Sequence, residues 1–171
     1  MIQLVIGGPD SGKSLLAEEL TASVNAEHVY YIATMRVLDD DGRKRIQRHR
    51  AQRAGKGFIT LEIETDIEKA LRLMDMPLES VCLLECVANL VGNLLYGKTG
   101  RITDQTDDAI IESVLSKIRH LSEGVRELVV VTSEYAPDDA DDRETVRYKK
   151  LLHSVNERLS VLADRVHRTA S

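Results

Sequence analysis

Residues Gly7, Gly8, Pro9, Asp10, Ser11, Gly12, Lys13 and Ser14 form a complete G-x-x-x-x-G-K-[ST] loop. An apolar run, 2–6, precedes it, and Leu15-Leu16-Ala17-Glu18-Glu19-Leu20 follows as a helix start. This strand–loop–helix context is what the motif needs mechanically. Backbone N–H groups of such a loop wrap a β-phosphate, and the helix N-terminus adds partial positive charge. Lys13 is placed to reach the β- and γ-phosphates, and the Ser14 hydroxyl to bind Mg²⁺. The loop therefore predicts binding of a nucleoside triphosphate, ATP or GTP. The motif does not say what becomes of it.

The rest of the chain supplies a scaffold for that loop. Strand-like runs recur at 2–6, 29–33, 80–85 and 127–132, and 59–63 reads as one more short strand. Helical patterns separate them at 13–24, 42–53, 66–74, 89–96, 106–121 and 144–163. Alternating strands and helices imply an α/β fold, mainly a parallel sheet flanked by helices. The 171 residues suit one domain, 1–171, with a sizeable core. Segments 97–104 and 135–142 read as loops. In the second, Pro137 and four aspartates weigh against order. The tail 164–171 is polar and offers no closing strand. A net charge of −5 gives no argument for nucleic acid. Apolar runs such as 128–131 are far too short for a membrane span, and the early first strand leaves no room for a signal peptide. Cys82 and Cys86 fall on one face of a strand by period two, where a disulfide is strained. They read as buried apolar residues of a cytoplasmic protein.

Three positions carry candidate chemistry beyond the loop. Glu85 ends the strand 80–85, at the sheet edge where parallel sheets bind ligands. There it is a candidate to join Ser14 at Mg²⁺; otherwise it is a helix N-terminal acid favoured by the dipole. Segment 43–56 holds Arg43, Lys44, Arg45, Arg48, Arg50, Arg53 and Lys56 and no acid. On a helix, Arg45, His49 and Arg53 share a face that attracts a triphosphate or a phosphorylated substrate; the alternative is a solvated basic helix. Among arginines the His49 imidazole favours its neutral, nucleophilic form. Glu134 also follows a strand, and its position alone leaves metal, substrate or loop roles open. From these residues alone, a P-loop small-molecule kinase and a nucleotide-binding regulatory protein both stay open.

The chain resembles the bifunctional adenosylcobinamide kinase / adenosylcobinamide-phosphate guanylyltransferase family. The carriers are the loop with Ala17-Glu18, Tyr31-Ile32-Ala33-Thr34, Asp39-Asp40, Arg45-Ile46-Gln47-Arg48-His49, Thr60-Leu61-Glu62, Leu84-Glu85-Cys86, Asn93-Leu94-Leu95 and Val155-Asn156-Glu157-Arg158-Leu159 with Ala163-Asp164. The resemblance implies a RecA-like P-loop NTPase fold and a homo-oligomer, commonly a trimer. It implies phosphorylation of the aminopropanol hydroxyl of a corrinoid, adenosylcobinamide. It then implies transfer of GMP from GTP to that phosphate through a guanylylated histidine, which falls on His49. Thr34, Arg45, Arg53 and Glu62 fall at the nucleotide site, with Lys13 and Glu85 beside His49 in catalysis. The chain departs from the family at Ser133-Glu134-Tyr135-Ala136, where Asn-Glu-Val-Gly is usual. It departs again at 149–153, where Arg-Asp-x-x-Gly is usual, and in lacking the family's final apolar strand. These departures bear on corrinoid binding and on whether both activities are kept.

Overall fold

The computed structural model describes residues 1–36 and 40–170; within the helix that carries them, the side chains of His49 and Gln52 lie outside the description, as does Asp39. Strand β1 (Ile2–Gly7) runs into the loop, and α1 (Lys13–Ser23) leaves it. Then come β2 (Val29–Ala33), α2 (Asp40–Arg53) and β3 (Phe58–Glu62). Next are β4 (Val81–Glu85), α3 (Val87–Leu95), α4 (Asp107–Gly124), β5 (Glu127–Ser133), α5 (Arg143–Leu162) and β6 (Arg165–Arg168). The six strands form one parallel sheet in the order β3-β2-β4-β5-β1-β6. β5 is thus interposed between the loop strand and the strand that carries Glu85, which is the RecA-like P-loop arrangement that the resemblance implies. Among the described residues, no helix is long and apolar enough to cross a membrane.

Strand alternation assigns the two faces. Leu4, Ile32, Cys82, Leu84, Leu128 and Val130 point to a deep core closed by α3, α4 and α5. Val5, Tyr31, Leu83, Val129 and Val131 point the other way, where Ala17, Leu16 and Leu20 of α1 cover them. The helices of the deep face start on side-chain caps: Thr106 Oγ1 accepts from Ala109 N–H at 3.1 Å, and Asp142 Oδ1 from Thr145 N–H at 2.7 Å.

Three expectations are corrected. The 164–171 tail does hold a strand: β6 pairs in parallel with β1, Val166 opposite Leu4. Its Arg-Val-His-Arg pattern hid it, because an edge strand with little buried surface needs no apolar run. The helical pattern at 66–74 is present as a 3₁₀ helix, Ile67–Leu73. Cys86 lies past β4 as the N-cap of α3, its Sγ accepting from Asn89 N–H at 3.5 Å; Cys82 alone is a strand residue, and both thiols are free. The acidic loop is tied down from within: Asp141 binds Lys149 Nζ at 2.7 Å, and Asp138 accepts from Ala140 N–H at 2.9 Å.

Candidate active site

The C-terminal ends of β1, β5, β4, β2 and β3 line up, so residues two past a buried face residue rise over the edge on that same face. Leu83 leads to Glu85, Tyr31 to Ala33 and Val131 to Ser133, all toward α1. These residues border a cleft of about 640 Å³. Its floor is Lys13, Ser14, Glu85, Val131 and Ser133; α2 contributes Ile46, Arg50 and Arg53; β3 and the following turn contribute Glu62, Glu64 and Asp66.

The loop's geometry follows from its residues. Asp10 and Gly12 are left-handed, with φ of 54° and 79°. Glycine takes that conformation without strain, and aspartate is among the side chains that tolerate it. The turn at Gly12 hands the chain directly to α1, whose first bond runs from Leu16 N–H to Gly12 O at 3.1 Å. Lys13 Nζ reaches back to Gly8 O at 3.2 Å, spanning the loop.

Glu85 is the polar hub of the floor. One carboxylate oxygen accepts from the Ser14 hydroxyl and the other from the Tyr31 hydroxyl. Burial, and then the Glu85 carboxylate, raise the Tyr31 phenol well above its ordinary range, so it keeps its proton and acts as donor. The Arg53 guanidinium lies over the Tyr31 ring, 4.2 Å from its centroid. Arg53 is only 7% exposed, and its Nε has no hydrogen-bond partner among the described residues. A buried guanidinium N–H without an acceptor, at the wall of a cleft, suits an anionic ligand. Arg50 Nη2 pairs with Glu62 Oε1 at 2.5 Å across the cleft. Cys86 also borders the cleft, and burial pushes its thiol up to about 11.

Lys13, Ser14 and Glu85 therefore meet at one end, and Arg53 and Glu62 line the same cleft. Gly7, Gly8, Pro9, Asp10, Ser11 and Gly12 form the loop beside it. Two expected residues sit elsewhere. Arg45 points from the far side of α2 into a shallow groove with Asp41, Lys44 and Arg48. Of the face expected to carry Arg45, His49 and Arg53, Arg53 does line the cleft, and Ile46 and Arg50 line it beside Arg53 in place of Arg45. Thr34 is fully buried; its hydroxyl donates to Cys86 O and accepts from Cys86 N–H, each at 2.8 Å, which fixes the end of β4. The backbone of His49 lies in α2, and its side chain is outside the description. Glu134 binds Arg168 Nη1 at 3.2 Å, beside the loop and outside the cleft. Tyr31 and Arg50 carry contacts at the site that the motif reading did not assign to them. A tyrosine inside an apolar strand was the available signal for the first, because its hydroxyl must find a partner.

Comparison with known proteins agrees with this geometry. The family model described as cobinamide kinase / cobinamide phosphate guanyltransferase matches residues 3–171. The bifunctional adenosylcobalamin biosynthesis protein CobU of Salmonella typhimurium is 33% identical, over 97% of this chain and 93% of the relative. CobU of Escherichia coli is 31% identical with the same coverage. The bifunctional adenosylcobalamin biosynthesis protein CobP of Pseudomonas aeruginosa is 34% identical over 66% of this chain and 63% of the relative. A match across nearly the whole chain, added to a phosphate loop facing Glu85 and a basic helix, leads to one conclusion: the chain belongs to the cobinamide kinase / cobinamide phosphate guanyltransferase family.

Proposed function

We propose that this chain phosphorylates adenosylcobinamide and then transfers GMP from GTP to adenosylcobinamide phosphate, the second step through guanylylated His49. The observation that carries the reading is the meeting of Lys13, Ser14 and Glu85 in the cleft walled by Arg50 and Arg53 of the helix that bears His49. In the first step the substrate hydroxyl attacks the γ-phosphorus of the triphosphate and a nucleoside diphosphate leaves, Lys13 countering the charge that develops. In the second, a neutral His49 nitrogen attacks the α-phosphorus of GTP. An N–P bond forms, the P–O bond to pyrophosphate breaks, and the imidazole loses its proton. The substrate phosphate then attacks that phosphorus, the N–P bond breaks, and the released imidazole nitrogen takes back from solvent the proton given up in the first half, so His49 returns to its starting form.

Mg²⁺ is the cofactor of this reading. The Ser14 hydroxyl and the Glu85 carboxylate already touch, an all-oxygen pair suited to a hard cation. Held by Ser14 and Glu85, such an ion would supply positive charge to the phosphates. One nucleotide-binding domain over 1–171, a homo-oligomer, commonly a trimer in the family, and a cytoplasmic location complete the proposal.

The test is incubation with Mg²⁺ and GTP labelled at the α-phosphate. A phosphoramidate label is acid-labile and base-stable, and it is absent from His49→Ala. Intact wild-type protein that gains no GMP mass would remove guanylyl transfer through His49. A separate assay of phosphate transfer from ATP to adenosylcobinamide would then decide whether the kinase step stands alone.

A further inference from the structure

Thr169, the residue after β6, rests on the phosphate-binding loop. Its amide donates to Ile6 O at 3.0 Å, which carries the β1–β6 ladder one step further. Its hydroxyl oxygen lies 2.6 Å from Ser11 Oγ. Gly7 makes the approach possible: a Cβ there would stand 1.9 Å from Thr169 Oγ1 and 2.7 Å from Ser11 Oγ. Arg168 is held in turn by Glu134, whose amide donates to Gly7 O at 3.0 Å. The ends of β5 and β6 thus fence the start of the loop, and the Thr169 hydroxyl is what touches its middle.

We propose that Thr169 is a positioning residue for the bound triphosphate, holding Ser11 as a hydrogen-bond donor to phosphate. Of two hydroxyls in contact, one donates and the other accepts. If Ser11 donates to Thr169, its proton is spent on the tail strand. If Thr169 donates, the Ser11 proton is free. A phosphate in the loop accepts hydrogen bonds, so it selects the second arrangement: Thr169 to Ser11 to phosphate oxygen. Each bond in such a chain polarises the next, and the last acceptor is charged. The strand absent from the sequence pattern thereby gains a part in ligand binding.

The inference rests on the loop binding a triphosphate, and calorimetry with MgGTP separates the two ideas. Thr169→Val keeps the shape and removes the hydroxyl; affinity should fall about fivefold, the size of one net neutral hydrogen bond. Thr169→Ser should restore it to within about twofold, since the hydroxyl alone carries the effect. The double variant Ser11→Ala/Thr169→Val should bind no more weakly than Ser11→Ala alone, because the two act in series. Wild-type affinity in Thr169→Val overturns the inference. So does a Thr169→Ser variant as weak as Thr169→Val, or single-variant losses that add in the double. A wild-type chain that binds no triphosphate overturns the reading of the loop as well.

Discussion

The two faces of the sheet are built on different principles. On one, α3, α4 and α5 bury Leu90, Ile110, Ile118, Leu152 and Val155 against Leu84, Leu128 and Val130. On the other, α1 supplies a small apolar contact, and α2 closes the cleft through charge. Among the described residues its links to the rest include Arg50 to Glu62, Arg53 over Tyr31 and, just past its end, Lys56 to Glu18 at 3.0 Å. The deep face holds itself together by excluding water, whatever ligand is present. The charged face holds a helix whose preferred place depends on what charge lies opposite. The guanylyl transfer proposed above would gain from placing His49 on the second kind of face, where a helix can close on the charge of a bound triphosphate.

Stability should divide the faces most sharply. Leu90 is fully buried on α3, so Leu90→Ala should cost about 2–5 kcal/mol of unfolding free energy. Ile46, half-buried on α2, should cost under about 1 kcal/mol when cut to alanine, since little of its surface leaves water. Denaturant titration of the two variants gives both values. Equal losses would mean that α2 is part of the core after all, and the contrast would fail.

Ligand binding comes next in size. Lys13→Ala removes a charged contact to phosphate and should weaken MgGTP and MgATP binding by about 2–3 kcal/mol, with stability nearly unchanged. Unaltered affinities by calorimetry would detach nucleotide binding from the loop. Cys86 gives a pH test at the same cleft. Burial raises its thiol from 9.0 to about 11, so the reactive thiolate is scarce at pH 8. The rate of iodoacetamide labelling at Cys86, followed by peptide mass, should climb toward pH 11 rather than level off near 9. A plateau near 9 would show the cleft floor to be wetter than its packing implies.

The deep face and the loop were readable in advance because both use repeating local signals. Apolar runs give the strands, and the loop motif carries its own strand and helix. Glu85 was readable because strand ends at a parallel edge are where ligands bind. What the sequence hid depends on tertiary partners. The stripe of α2 that turns inward is set by Glu62 and Tyr31, which lie on other elements, so Arg45 faces away from the cleft while Arg50, which lies off the expected face, faces into it. Thr34 carries the family pattern yet spends its hydroxyl on Cys86, because the end of β4 must be fixed before Glu85 can be. β6 was missed because an outer strand with exposed Arg165 and Arg168 has no reason to be apolar.

The smallest expected effect tests the charged face directly. Arg50 and Glu62 are each about half exposed, at 54% and 48%, so their pair is screened by salt. Arg50→Ala should therefore cost only about 0.2–1 kcal/mol of stability at low salt, and less in 1 M salt, where the Debye length is about 3 Å. The more telling readout is local. Hydrogen exchange of the 42–53 amides should quicken as salt rises, while that of the 87–95 amides should not, because apolar burial is not screened. Added MgGTP at low salt should slow exchange in 42–53 again, since a triphosphate offers the arginines more charge than Glu62 alone. Exchange in 42–53 that ignored both salt and nucleotide would mean that α2 is held by packing. The arginines would then be a solvated surface, and the distinction between the two faces would reduce to composition.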